Sequence, residues 1–168
     1  MSVAAVVLAA GAGTRFGGPK QRLLLPRVLE RLRETSLEDV IVVAGAYGLE
    51  AEGVRVVECP GWERGPGASL RCGLAALGPE TEAAVVVLAD GPDLAPEAVE
   101  RVLAAWRESP GAELVAASYG GERGHPLLLA RGLWEAVPDE GLRALAPLLV
   151  PCDDLGYPGD VDRVEDLR

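Results

Sequence analysis

Val3-Ala4-Ala5-Val6-Val7-Leu8-Ala9-Ala10-Gly11-Ala12-Gly13-Thr14-Arg15-Phe16-Gly17-Gly18-Pro19-Lys20 runs from an apolar stretch straight into a glycine-rich turn that carries two cations. An apolar run without polar alternation belongs to a strand covered on both faces. Shorter runs of the same kind recur at 40–44, 54–57, 83–89 and 114–117. Helical stripes lie between them: Val28, Leu29 and Leu32; Leu70, Leu74 and Leu77; Val99, Val102, Leu103 and Trp106. Strand alternating with helix predicts an α/β fold, Rossmann-like, with a mostly parallel central sheet and helices on both faces. Pro96 suits the first turn of the last of these helices, and Glu97 and Glu100 suit its positive end. After Tyr119 the pattern loosens into an expected turn at 120–124, a short strand at 127–130, a brief helix at 141–145 and an extended piece at 148–151. With no repeat or linker in view, residues 1–168 are expected to form a single domain.

Composition narrows the function. The chain is 49% hydrophobic but only 4% aromatic, so its core must be built of Ala, Val and Leu. A net charge of −10 argues against a nucleic acid or an anionic membrane as partner, because both demand a dominant basic field. A small anionic substrate then needs its own local cations or a bound metal. The opening apolar run lacks a basic leader and is read as a strand, not a secretion signal. Cys59, Cys72 and Cys152 are odd in number and widely spaced, which fits neither a disulfide framework nor a zinc knuckle. Reduced thiols and a cytoplasmic location are the expectation.

The glycine-rich turn sits where open α/β sheets bind ligands, beyond the carboxyl end of a strand. Glycines let the backbone approach an anion and aim N–H groups at it, while Arg15 and Lys20 supply full positive charges. Two commoner phosphate loops fail to match. Pro19 separates Gly18 from Lys20 and Gln21 replaces the hydroxyl residue of a P-loop, and the spacing of Gly11, Gly13 and Gly17 departs from the dinucleotide fingerprint. The turn is therefore read as a polyphosphate cradle of another type.

Asp90, in Ala89-Asp90-Gly91-Pro92-Asp93-Leu94, ends the fourth strand on the same edge, where a carboxylate can face Mg²⁺; one or two such hard ligands suffice when phosphates and water fill the other positions. Asp93 is expected to cap the following helix. Near the C-terminus, alternation in Asp160-Val161-Asp162 puts both carboxylates on one side of an extended segment, which suits either a metal contact or a solvated acidic tail. Ser69 reads as a helix cap or a ligand contact, and Arg71 as a surface charge or a base-side contact. His125 is the only histidine; since metal-held phosphoryl transfer asks little proton chemistry of side chains, it is read as a loop residue beside the acceptor.

The stretch Leu8 to Lys20 resembles the signature of the MobA-like nucleotidyltransferases, the family that includes the molybdenum cofactor guanylyl- and cytidylyltransferases. Leu8-Ala9-Ala10-Gly11 is more similar to the cytidylyl branch. Asp90-Gly91-Pro92-Asp93-Leu94 resembles the family's metal-binding D-x-P-x-L, with Gly91 in place of a larger residue. Gly65 to Leu74 is similar to its base-pocket loop and helix, Gly124-His125-Pro126 to its acceptor-side G-H-P, and 159–167 to its closing D-x-D-T-P-E-D-L, with Arg163 and Val164 for Thr-Pro. Cys59 stands before Pro60 and Trp62 where the family often has Asn, and the segment between Lys20 and Val28 is shorter than usual.

The resemblance implies a nucleotidyltransferase fold and a Mg²⁺-dependent enzyme that moves CMP, or else GMP, from CTP or GTP to a phosphorylated acceptor such as molybdopterin. It assigns catalysis to Arg15, Lys20 and Asp90, nucleotide binding to Leu8, Ala9, Ala10, Gly11, Gly13, Arg15, Lys20 and Ser69, metal binding to Asp90 and Asp160, and the acceptor side to His125. Transient contact with a cofactor-receiving enzyme goes with this reading. Two others stay open: a non-catalytic nucleotide-binding or handover module, and a cytidylyltransferase for a sugar-alcohol or isoprenoid-precursor phosphate.

Overall fold

A computed structural model of the protein describes residues 2–10, 20–46 and 48–158. One sheet of seven strands organises them: β1 (Ser2–Ala9), β2 (Asp39–Ala44), β3 (Arg55–Glu58), β4 (Thr81–Leu88), β5 (Leu114–Tyr119), β6 (Glu122–Ala130) and β7 (Leu148–Pro151). Their spatial order is β3-β2-β1-β4-β6-β5-β7. β6 alone runs antiparallel to its neighbours β4 and β5, and the other pairs are parallel. The mostly parallel α/β fold read from the sequence is thus the fold observed.

Helix α1 (Lys20–Arg33) and helix α3 (Pro96–Glu108) cover one face of the sheet, where Leu25, Val28, Leu29 and Leu32 meet Val7 and Val42, and Val99, Val102 and Leu103 meet Val85 and Val115. Helix α2 (Pro66–Ala75) covers the other, packing Leu70 and Leu74 on Val6, Ile41 and Val43. α1 begins earlier than its stripe suggests and contains Pro26. Leu24 and Leu25 are buried one turn ahead of Val28 and Leu29, and burying two leucines outweighs the roughly 3 kcal/mol an interior proline costs.

The second half departs further from expectation. The turn occupies only 120–121, and β6 starts at Glu122 to form a hairpin with β5. Residues 141–145 form turns instead of a brief helix, while a 3-10 helix appears at Arg131–Ala136. Each of these pieces is too short for periodicity to separate helix from strand.

α2 lies so close to the sheet that a Cβ on Gly73 would stand 2.7 Å from Val6 Cγ1 and 2.8 Å from Val43 Cγ2. Gly73→Ala is therefore expected to lower stability by about 1–3 kcal/mol despite its better helix propensity, a loss read directly from denaturant unfolding; an unchanged or raised midpoint would contradict the close packing.

Candidate active site

Four strand ends converge on one edge of the sheet. Leu8 pairs with Leu88, and Ala89 N–H donates to the Leu8 carbonyl at 3.0 Å. Ala46 N–H donates to the Ala10 carbonyl at 3.2 Å and Cys59 N–H to the Ala44 carbonyl at 2.7 Å, which brings the ends of β2 and β3 alongside. Asp90 follows at once, half-buried, at the head of a turn in which Gly91 N–H returns to the Leu88 carbonyl and Leu94 N–H to the Gly91 carbonyl. Leu8, Ala9 and Ala10 therefore stand beside Asp90, as the strand register requires.

The expected cap at Asp93 is not formed. α3 starts from Ala95 with no side-chain cap, and Asp93 instead gives its backbone N–H to the Pro158 carbonyl at 2.9 Å. Its exposed side chain lies two residues ahead of the cap position, and Pro96 already removes one of the amides a cap would satisfy.

Because β6 runs antiparallel to β4, its first residues lie just past the end of β4, and His125 arrives near Asp90. Burial is the main cause that pushes the imidazole down to about 4; the negative field of Asp90 works against that shift and the positive field of Arg123 adds to it. His125 is thus neutral at neutral pH. Tyr119 Oη donates to the His125 carbonyl at 2.8 Å, and the Tyr119 ring meets Tyr157 edge to face at 5.3 Å between centroids. His125, Tyr157, Pro158 and Gly91 close a cavity of about 20 Å³, room for a water molecule and nothing larger. Neither tyrosine carried a sequence signal, because each sits beside glycines in a region without periodicity.

On the other face, α2 starts at this same edge. Gly65 occupies its cap position, so Ser69 lies inside the helix and is buried, 4% exposed, which removes the cap reading. Gly67 N–H donates to the Asp139 carbonyl at 2.8 Å, and a Cβ on Gly67 would fall 1.6 Å from the Pro138 oxygen. Arg71 is not a free surface charge: it donates to the Val137 carbonyl and pairs with Asp139 Oδ1, and that guanidinium holds the Asp139 carboxyl below its usual range. The 137–139 segment, which sequence reading passed over, is thereby fastened along the start of α2. Trp62 packs where a side chain on Gly45 would be, 2.6 Å from that hypothetical Cβ.

The expectation of three reduced thiols is corrected here. Cys59 and Cys72 form a disulfide, with their Cα atoms 5.9 Å apart, while Cys152 is free and buried. The pair lies at a sequence separation of 13, and only the reversal from β3 into α2 brings them face to face.

Gly11, Gly13, Arg15 and Asp160, with Asp162, lie outside the described residues, as does the side chain of Lys20, whose backbone opens α1. Among the described residues no group of three His, Cys, Asp or Glu side chains could enclose a metal. Asp90 offers a hard oxygen donor and leaves the remaining positions to phosphate and water, a donor set that fits Mg²⁺. An open hollow of about 820 Å³ between α1 and residues 48–52 is lined by four glutamates and two arginines and contains none of the residues at Asp90, so it does not suit a polyphosphate. No helix among the described residues is long and apolar enough to cross a membrane.

The model of the MobA-like NTP transferase domain matches residues 5–147, from β1 through the Asp90 turn to the segment that Arg71 holds. The chain belongs to the MobA-like NTP transferases. Among solved structures, this MobA-like chain is 27% identical to Rv0371c from Mycobacterium tuberculosis H37Rv, with a TM-score of 0.80 over 99% of this chain and 95% of that one. It is equally 27% identical, at a TM-score of 0.80, to the Rv0371c homologue from Mycobacterium sp. strain JC1, over 98% and 92% of the two chains. Rv0371c has also been crystallised as a complex with manganese. The 4-diphosphocytidyl-2C-methyl-D-erythritol synthase of Anaerococcus prevotii, 16% identical at a TM-score of 0.69 over 98% and 94% of the chains, shares the fold. No curated protein matches the chain.

Since His125 titrates near 4 in the fold against 6.5 for an ordinary histidine, the unfolded chain binds the extra proton first. The stability this adds is complete above about pH 6.5 and is lost as pH falls towards 4. Chemical denaturation across that window should show the loss in the metal-free protein, and His125→Asn should flatten that part of the profile; an unaltered slope in the variant would refute it.

Proposed function

We propose that this MobA-like chain is a Mg²⁺-dependent nucleotidyltransferase that moves a nucleoside monophosphate from a triphosphate to the phosphate of a small acceptor, with release of pyrophosphate. CTP is the favoured donor, on the strength of Leu8-Ala9-Ala10-Gly11, GTP is the other candidate, and molybdopterin is the proposed acceptor. The observation that carries the reading is the position of Asp90, two residues past the last β1–β4 pair and within electrostatic reach of His125, on the edge where β1 ends.

In this reading Gly11 and Gly13 offer backbone N–H groups to the triphosphate, and Arg15 and Lys20 neutralise its charge. Asp90, and Asp160 from the far end of the chain, would hold Mg²⁺, which supplies charge neutralisation on the phosphate oxygens when bound. Ser69 and the start of α2 line the base side. An acceptor phosphate oxygen, entering from the His125 side, attacks the α-phosphorus; the new P–O bond forms as the bond to the bridging oxygen of pyrophosphate breaks. Neutral His125 adds no charge to that path and is assigned no proton. A cytoplasmic site of action and a transient encounter with a cofactor-receiving enzyme belong to the same proposal, as does a single domain over residues 1–168.

One observation favours a second reading. α1 begins at Lys20 itself, so no separate loop follows that lysine before the helix, and a nucleotide-binding module without turnover would tolerate that loss.

Asp90→Asn is expected to reduce pyrophosphate release from CTP or GTP with molybdopterin by at least about a hundredfold, with the melting temperature little changed. Calorimetry on the parent separates the readings. Tight Mg²⁺-dependent triphosphate binding without pyrophosphate under any acceptor would establish the module and overturn the enzyme; turnover that survives Asp90→Asn would overturn the placement of the site.

A further inference from the structure

We propose that the Cys59–Cys72 disulfide is a reducible clamp on the base-side wall of the nucleotide site, opened by a dithiol reductant with loss of triphosphate affinity. This rests on the function proposed above for that edge of the sheet.

The bond closes a ring that contains the 3-10 turn Trp62–Arg64, Gly65 at the start of α2, Ser69 and Arg71. Apart from the apolar packing of Cys59 and Trp62, the exit from β3 is held to the sheet by few hydrogen bonds. Cys59 N–H reaches the Ala44 carbonyl and Trp62 sits on Gly45, whereas the bonds from Trp62 N–H to the Cys59 carbonyl and from Gly65 N–H to the Trp62 carbonyl stay within the segment itself. The first half of α2 is fastened on its far side, through Gly67 and Arg71 to 137–139. Besides the backbone itself, the disulfide ties these two halves of the wall covalently, and opening it returns conformational freedom to the residues between them.

The two sulfurs differ in access. Cys59 is buried, 1% exposed, and Cys72 is half-buried on the outer turn of α2. A thiolate of the reductant therefore attacks Cys72 Sγ, and Cys59 leaves as the thiolate and takes a proton. The second thiol of the reductant then attacks the mixed disulfide, releasing Cys72 as a thiol and the reductant as its cyclic disulfide. Two electrons and two protons pass to the protein. Cys59 Sγ lies 3.7 Å from the Ala68 carbonyl oxygen, where the new thiol can donate, so the reduced wall keeps a packed position for it while losing the covalent tie.

The test compares air-oxidised protein with protein reduced by dithiothreitol, using CTP with Mg²⁺ as probe. Thiol counting is expected to give one free thiol, Cys152, before reduction and three after it. Calorimetry is expected to show binding weakened about fivefold or more on reduction and restored on reoxidation, with faster amide exchange over residues 59–65. Cys59→Ala/Cys72→Ala should bind like the reduced form and ignore the reductant, while Cys152→Ala should respond like the parent. Three free thiols in the oxidised sample, or equal affinity in the two redox states, would overturn the clamp and leave the proposed function standing. Absence of CTP and GTP binding in both states would overturn the proposed function, and the regulation with it, even if exchange over 59–65 still rose.

Discussion

The pairing of β1 with β4 is the constraint on which the rest depends. β1 and β4 are far apart in sequence yet adjacent in the sheet, so the chain must cross over and back before the centre is complete. Once Leu8 faces Leu88, Ala9 and Ala10 at the end of β1 and the turn at Asp90 leave the sheet side by side. No other pairing in this topology would put the end of β1 and the acidic turn at one point on the edge. The site is therefore a property of strand order first and of side chains second, the general behaviour of open α/β sheets. The chain's overall acidity makes that focusing necessary: with a net charge of −10, a polyanion finds favourable potential only where a few cations or a metal are gathered.

Legibility in the sequence follows how locally each element is determined. Buried parallel strands carry a strong local signal, since both faces demand apolar residues, and β1, β2, β4 and β5 read clearly for that reason. The position of Asp90 was legible because it directly follows the apolar run of β4. The hairpin of β5 and β6 was harder. Its strand opens with Glu122, Arg123 and Gly124, which look like loop, and only pairing with Ser118 and Tyr119 makes them strand. Tertiary contact overrode local composition there.

Contacts between segments distant in sequence were the least readable. Arg71 with Asp139, Tyr119 with the His125 carbonyl, and Asp93 with Pro158 each join parts of the chain whose proximity follows from the fold and from no motif. The cysteines make the point most sharply. Their number and spacing carry no pattern of a disulfide framework, and the bond exists because β3 turns back into α2 over a short connection that places residue 72 above residue 59. Counting cysteines reports on families of small disulfide-rich domains and has little to say about one bond inside an α/β sheet protein.

The two walls flanking Asp90 are held by different physics. On the His125 side the backbone is fixed by a half-buried tyrosine hydroxyl and an aromatic edge-to-face contact, interactions that need neither charge nor covalent chemistry. On the α2 side the wall depends on an exposed ion pair, close backbone approach at Gly67 and one disulfide. An exposed pair contributes little and is screened by salt, and a glycine contact is passive, so the covalent bond bears the largest share of order there. Reduction therefore acts first on the α2 wall, whereas the His125 wall is tied directly to the central strands through β6.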